Sequence, residues 1–386
     1  MWAALTACSR EPEPLAQTTL PHQAYIWQYR WKAPLLEAIA ASASEVQGWR
    51  VLVGELSANG IMRPIAVNWN ALRDSQRPLI PVIRIEGQQV PEAAQKRIVA
   101  LLNSLPADLG QLELDFDSST KALANYQKFI ADLRQALPSP TRISITLLPD
   151  WLDSPALPKL LSAVDSSVLQ LHGVFGQGRK LFDAPMAERW VSQMLALRRP
   201  FFIALPNYGS RVTLDENGRL LAVESEMPQP GTADQTRELF VPPIAMVNFL
   251  RSLKTPAGGA LQGIVWFRLP LDSDQRTWSR ATWHAVMQHA PLYSDWRVEW
   301  QPLAAGRSEG TLTLVNLSGI DNPAPAMISL HARCDLVHAS TYLLDVESDG
   351  ALIFARKEPR LIRGHSDFVL GQLHCTDKPR DFRVAD

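Results

Sequence analysis

The stretch QLELDFD, residues 111–117, sets Glu113, Asp115 and Asp117 alternately with Leu112, Leu114 and Phe116. On a strand, side chains two apart share a face, so three carboxyls point one way and three apolar groups the other. Carboxyls crowded on one buried face repel one another and resist ionisation. At least one is therefore raised toward the range where it donates a proton near neutrality. Asp117, nearest the strand's C-terminal end, is the acid candidate, and Asp115, one layer deeper, is its orienting partner. The alternative is a structural carboxylate network neutralised by Arg84 on the preceding apolar stretch. Asp150 or Glu86 would supply a second acid, and Trp151 a flat platform for stacking. Asp150 or Asp153 would instead cap the helix that starts near Pro155. Glu55 and Glu86 both end apolar stretches, where barrel catalysts sit, although surface acids are common there; His172 ends another, where a hydrogen-bonded structural role is the simpler reading.

Eight apolar stretches could carry such side chains: 24–29, 49–56, 79–86, 111–117, 142–149, 168–175, 201–208 and 263–270. Several are nearly continuous apolar runs, as in parallel strands buried on both faces. Helical segments are expected between them at 33–46, 91–104, 120–137, 155–163, 184–198, 242–254 and 276–289, with no clean period over 57–78. In 120–137, Leu123, Tyr126, Phe129, Ile130, Leu133 and Leu137 follow helical spacing and Pro138 stops the run. Eight such units predict an α/β fold, a TIM (β/α)8 barrel with its site at the C-terminal ends of the strands. The competing architecture is an open doubly wound sheet, but no Gly-rich dinucleotide fingerprint follows the first strand. Gly173, Gly176 and Gly178 have the wrong spacing for a phosphate loop. An insert at 209–240 holds a hairpin turning at Asn217-Gly218. From 292 the pattern becomes short alternating strands parted by turns, which predicts a small all-β, sandwich-like domain. The expected organisation is a tether over 1–22, a barrel over 23–291 and a β-domain over 292–386.

Composition narrows the function. With 38 Lys+Arg against 39 Asp+Glu the net charge is -1, which leaves no footprint for nucleic acid. No run of 18 apolar residues exists to span a membrane. There are 12 tryptophans; tryptophan packs on sugar C–H faces, although core and edge packing account for most. His284 and His289 share a helical segment but not a face. No metal-ligand cluster, Ser-His-Asp arrangement or cofactor motif is evident, so no cofactor and no metal are expected.

Two resemblances follow from these motifs. LELDFDSSTKALANYQKFIADLRQAL resembles the fourth strand and helix of chitinase-type (family eighteen) glycoside hydrolases, which carry an Asp-x-x-Asp-x-Asp-x-Glu pattern. Matched on Asp115 and Asp117, the family's catalytic Glu position holds Ser119. The same resemblance implies that Trp266, in GIVWF, floors the sugar pocket, and that Gln170 and Tyr208 belong to the site. More narrowly, AYIWQYRW, LELDFDSS, ISITLLPDWL, VLQLHG and FFIALPNYG together look like an uncharacterised bacterial family of exported proteins, domain of unknown function 3142. The expected function is a glycoside-hydrolase-like enzyme acting on a glycan or cell-envelope polysaccharide. The alternative is a degenerate barrel that binds a glycan or protein partner without turnover.

Leu5-Thr6-Ala7-Cys8 resembles the lipobox of bacterial lipoproteins, and the proline-bearing run to Gln23 reads as a spacer. A lipid on Cys8 would be the chain's one link to a membrane, placing it in the cell envelope, facing the periplasm; Ser9 is compatible with the outer membrane. Cys334 and Cys375 would then be free to form a disulfide in an exported chain. Mass spectrometry of the N-terminus, after expression with the upstream region, should find a diacylated or triacylated Cys8. A free thiol there would end the idea.

Overall fold

The computed structural model describes residues 20–176, 180–224, 236–253, 259–304, 308–339, 342–346, 351–377 and 379–385. Cys8 and its spacer as far as residue 19 lie outside them. The order of elements begins β1 (His22–Ile26), α1 (Ala33–Ser42), β2 (Trp49–Leu56), β3 (Met62–Pro64), α2 (Trp69–Asp74), β4 (Leu79–Ile85), α3 (Ala94–Leu102) and β5 (Gln111–Phe116). It continues α4 (Leu123–Ala136), β6 (Arg142–Leu147), α5 (Leu157–Ser162), β7 (Ser166–Gln170), α6 (Ala184–Ala196) and β8 (Phe201–Pro206). The barrel ends with β9 (Ser210–Leu214), β10 (Leu220–Glu224), β11 (Thr236–Leu239), α7 (Pro243–Ser252), β12 (Leu261–Phe267) and α8 (Arg280–Met287). Strands β1, β2, β4, β5, β6, β7, β8 and β12 pair in parallel, and β1 closes the ring between β2 and β12. The fold is a closed (β/α)8 barrel.

Period-two alternation sorts the side chains of each strand. On β5, Leu112, Leu114 and Phe116 join the core under the helices, where the Phe116 ring meets Tyr126 of α4 at 5.0 Å. Inside the ring a smaller apolar group gathers Tyr25, Trp27, Leu52, Val82, Val168, Ala204 and Val265. The stretch 57–78 resolves into the short antiparallel β3 beside β2 and the helix α2, whose first turn is capped by the Asn68 side chain on the Ala71 amide. β2 carries a register shift between Leu52 and Gly54. A Cβ on Gly54 would sit 2.6 Å from the Leu101 side chain of α3, so any larger residue at this bulge would have to push Leu101 aside.

The insert forms a three-stranded sheet in the order β10-β9-β11, and β9 turns into β10 through Asn217-Gly218, with Gly218 at φ 75°. The C-terminal strands are β13 (Trp296–Pro302), β14 (Glu309–Asn316), β15 (Asn322–Pro323), β16 (Met327–His331), β17 (Cys334–Ala339), β18 (Tyr342–Val346), β19 (Ala351–Arg356), β20 (Leu361–Ile362), β21 (Asp367–Cys375) and β22 (Arg380–Ala385). Two four-stranded antiparallel sheets, β13-β14-β21-β17 and β18-β19-β16-β22, enclose one apolar cluster that includes Leu312, Leu314, Ile328, Leu330, Phe354, Leu370 and Leu373. Asn322-Pro323 forms a two-residue strand paired with β20.

This unit is tied to the barrel at the start of α8. Buried Asp321 accepts from the Ser279 amide at 2.6 Å and the Ser279 hydroxyl at 2.8 Å, and its own amide donates to Thr282 Oγ1 at 2.7 Å. Cys334 and Cys375 are joined in a disulfide across β17 and β21, 41 residues apart in sequence. A loop of that length gives about 4 kcal/mol by the chain-entropy estimate. Reduction, or a Cys334→Ser/Cys375→Ser pair, should therefore lower the denaturant midpoint of the β-unit well before that of the barrel. Identical unfolding curves for reduced and oxidised protein would contradict this.

Candidate active site

The inward face of β5 runs from the barrel's centre to its open end. Deepest is Glu113, fully buried, which accepts from the Tyr25 hydroxyl at 2.6 Å and from Arg50 Nη1. Arg50 Nε also donates to Gln23 Oε1 at 2.9 Å, and the guanidinium lies over the Phe202 ring at 4.8 Å. Burial lowers the Arg50 guanidinium to about 10, still charged at neutral pH. Glu113 is thus consumed in holding the core together.

Asp115, one layer up, is 8% exposed. Gln170 Nε2 of β7 donates to its Oδ1 at 3.3 Å, and Thr146 of β6 hydrogen-bonds its side chain. Arg84, its register neighbour on β4, adds positive field. Burial, and then the charge of Asp117, push Asp115 up to about 7 against the opposing pull of Thr146 and Arg84. Asp117, just past the end of β5, opens to solvent, yet the surrounding wall desolvates its carboxyl and raises it, with Arg84 opposing. The two carboxyls titrate as one pair. Among the described residues neither makes a salt bridge; Arg84 and Arg63 face Glu55 instead, at 3.9 and 3.6 Å. Glu55 turns inward at the β2 bulge and accepts from the Tyr29 hydroxyl at 2.6 Å.

Across from the acids lies an aromatic wall. Phe267 packs edge-on to Trp27 at 5.3 Å and to Tyr208 at 5.6 Å, and stacks on His172 at 5.1 Å. His172 Nδ1 lies 3.3 Å from the Tyr208 hydroxyl. Burial lowers His172 to about 4, so it is neutral at pH 7 and serves as a hydrogen-bonding ring rather than a charge.

The structure therefore brings together Asp115, Asp117, Arg84 and Gln170, with Tyr208 at the aromatic wall. Four expected residues fall elsewhere. Trp266 does not floor the mouth: it has the outward parity of Ile264, is fully buried against Trp278 and Trp283, and donates to His22 Nδ1 at 3.0 Å. Its neighbour Phe267 holds the inward position. Trp151 is no platform either, being buried against Tyr126 with its Nε1 donating to Ser118 O at 2.9 Å. Asp150 sits exposed in a one-turn 3-10 helix after β6, and Glu86 is exposed beyond β4; among the described residues neither is hydrogen-bonded to the acid pair. Glu55, Thr146, Phe267 and Trp27 join the mouth instead. Inward parity could have found Phe267 and Trp27, whereas the bulge that aims Glu55 leaves only Gly54 as its trace.

The family model described as domain of unknown function (DUF3142) matches residues 75–272. The chain belongs to this family. The match takes in β5 with its acids and most of the strands that surround them. No curated protein matches the DUF3142 chain. Among solved structures, a chitinase from Chromobacterium violaceum is similar at 14% identity, over 70% of this chain and 98% of that one, with a TM-score of 0.50. The spore cortex-lytic enzyme SleL of Bacillus cereus aligns over 71% of this chain and 75% of its own at 14% identity, with a TM-score of 0.49. At such identity the first likeness speaks to the fold alone, a (β/α)8 barrel of the shape that chitinase has.

The Asp115 shift gives a pH signature. Its folded pKa, near 7, lies above the ordinary carboxylate value of 3.8. The folded state therefore suffers no penalty from this group below about pH 4 and loses stability as pH rises through 7. Asp115→Asn, which removes the ionisation with little change of shape, should match the parent near pH 4 and gain on the order of a few kcal/mol over it by pH 8. A denaturant-midpoint difference that stays constant across that range would refute the assignment.

Proposed function

We propose that this barrel is a carbohydrate-active enzyme of the glycoside hydrolase kind, with Asp117 as the proton donor and Asp115 as its positioning partner. One observation carries the reading: a coupled carboxyl pair, both members raised, stands at the C-terminal mouth of the barrel and is neutralised by no salt bridge among the described residues. Burial raises Asp117 above the ordinary carboxylate range, which favours its protonated form and so its use as a donor to the oxygen of a breaking glycosidic bond. Asp115, hydrogen-bonded by Gln170, shares charge with Asp117 and so governs when that proton is held. Phe267 and Tyr208 offer apolar faces to a sugar ring, and Glu55 offers a second carboxylate at the same end.

The β5 geometry also supports a different alignment of the chitinase pattern. Ser119 lies beyond the strand, opening the turn that leads into α4. Moved back by two residues, the alternating Asp-x-Asp-x-Glu falls on Glu113, Asp115 and Asp117, the three inward positions. The catalytic place is then held by an acid one methylene shorter, about 1.5 Å. Likeness of fold to a chitinase is compatible with this reading.

The envelope setting remains part of the proposal. The lipobox at Cys8 supports anchoring, and the Cys334–Cys375 disulfide fits an oxidising compartment.

The test is turnover on a panel of envelope and storage glycans. Asp117→Asn should lower kcat by about a hundredfold or more while leaving affinity within a few-fold, and Asp117→Glu should retain more activity than the amide. Undiminished turnover by Asp117→Asn would reject the assignment. Glycan binding with no cleavage by the parent would favour the non-catalytic binder.

A further inference from the structure

Beside the mouth, a cavity of about 270 Å³ lies where the barrel, the insert sheet and the C-terminal unit meet. Four arginines line it: Arg211 on β9, Arg276 ahead of α8, and Arg360 and Arg363 from the chain around β20. Two are balanced. Arg211 pairs with Glu238 at 2.7 Å, and Arg276 with the buried carboxylate of Glu224 at 3.3 Å. The other two have no carboxylate partner among the described residues. Arg360 is exposed, its guanidinium resting on the Phe368 ring at 4.4 Å. Arg363 donates to the backbone oxygens of Asp272, Asp274 and Thr277, and its buried Nε has no hydrogen-bond partner. Neutral carbonyls orient a guanidinium without cancelling its charge, so the cavity keeps a surplus of about two positive charges, in the fork geometry that suits oxyanions.

Tyr208 joins this cavity to the mouth. It lines the cavity, and it also meets Phe267 and His172 at the aromatic wall. The mouth and the cavity thus share Tyr208 as a common wall.

We infer that the cavity is a subsite for an oxyanion borne by the glycan, so that the favoured substrate is an acidic polysaccharide rather than a neutral one. This rests on the carbohydrate reading of the mouth and narrows it. The charges are laid out to match: the carboxyls do their work at the mouth, and the anionic group is held away from them, where it does not repel Asp115 and Asp117. The β-unit then has a part in recognition, because both unbalanced arginines come from it.

The experiment measures binding by the full chain to oligogalacturonate, to a sulfated glycan and to a neutral chitin oligosaccharide, at low and high salt. Affinity for an acidic ligand should exceed that for the neutral one by about tenfold and fall steeply with salt. Arg360→Ala should lose about tenfold on the acidic ligand only, and Arg360→Lys should recover part of it, which separates charge from misfolding. Preference for the carboxylated or for the sulfated chain tells which oxyanion is held. Equal binding of neutral and acidic chains, or an Arg360→Ala variant that binds as the parent does, overturns the subsite while leaving the enzyme reading intact. Arginine-dependent binding with no turnover by the parent supports the subsite and removes the enzyme. No binding to any of the three ends both.

Discussion

The buried pair of Glu113 and Arg50 is the constraint from which the mouth follows. Leaving either charge alone inside the barrel would cost about 3–5 kcal/mol, and the pair is satisfied only when Tyr25, Gln23 and Phe202 close round it. A slip of β5 by one residue would drive Glu113 into the apolar layer under α4 and bring Leu114 into its place. The pair therefore pins the strand's register, and with it the inward aim of Asp115 and Asp117. A structural charge at the bottom of the barrel decides where the reactive charges stand at the top.

The mouth is held from a second direction by the C-terminal unit. Arg363 grips the backbone of 272–277, the same loop whose Asp274 receives Arg268, next in sequence to Phe267. Thr277 bridges to Tyr208, and the Trp278 amide donates to Asn207 O. The aromatic wall is thus buttressed through this loop by a unit that contributes no residue to the acid pair. Glu113 and Arg363 act on opposite walls of one opening.

Much of this was legible in the chain, and the exceptions have physical causes. Alternation on 111–117 was enough to place the acids inward and Leu112, Leu114 and Phe116 outward, and eight apolar runs with helical spacers were enough for the barrel. Trp266 was misplaced because a bulky aromatic was matched by type, when its parity with Ile264 already put it outside the ring. Glu55 was legible as an acid at a strand end, but its inward aim depends on a bulge, and an extra residue in one strand leaves no periodic mark. The Arg50–Glu113 pair crosses the barrel between residues 63 positions apart, and the arginines at 211, 276, 360 and 363 converge only once two units are docked. Local patterns report on faces of elements; they carry no record of which distant faces meet.

The closing of the ring has a consequence for how the molecule is made. Trp266 and His22, which meet where β12 joins β1, are 244 residues apart. One edge of the first strand thus stays unpaired until nearly the whole barrel has been synthesised. At about 5–20 residues per second, that is roughly 10–50 s of exposed backbone donors and acceptors, an interval in which a chaperone or an unfolded transit state would have to keep β1 from pairing with the wrong neighbour.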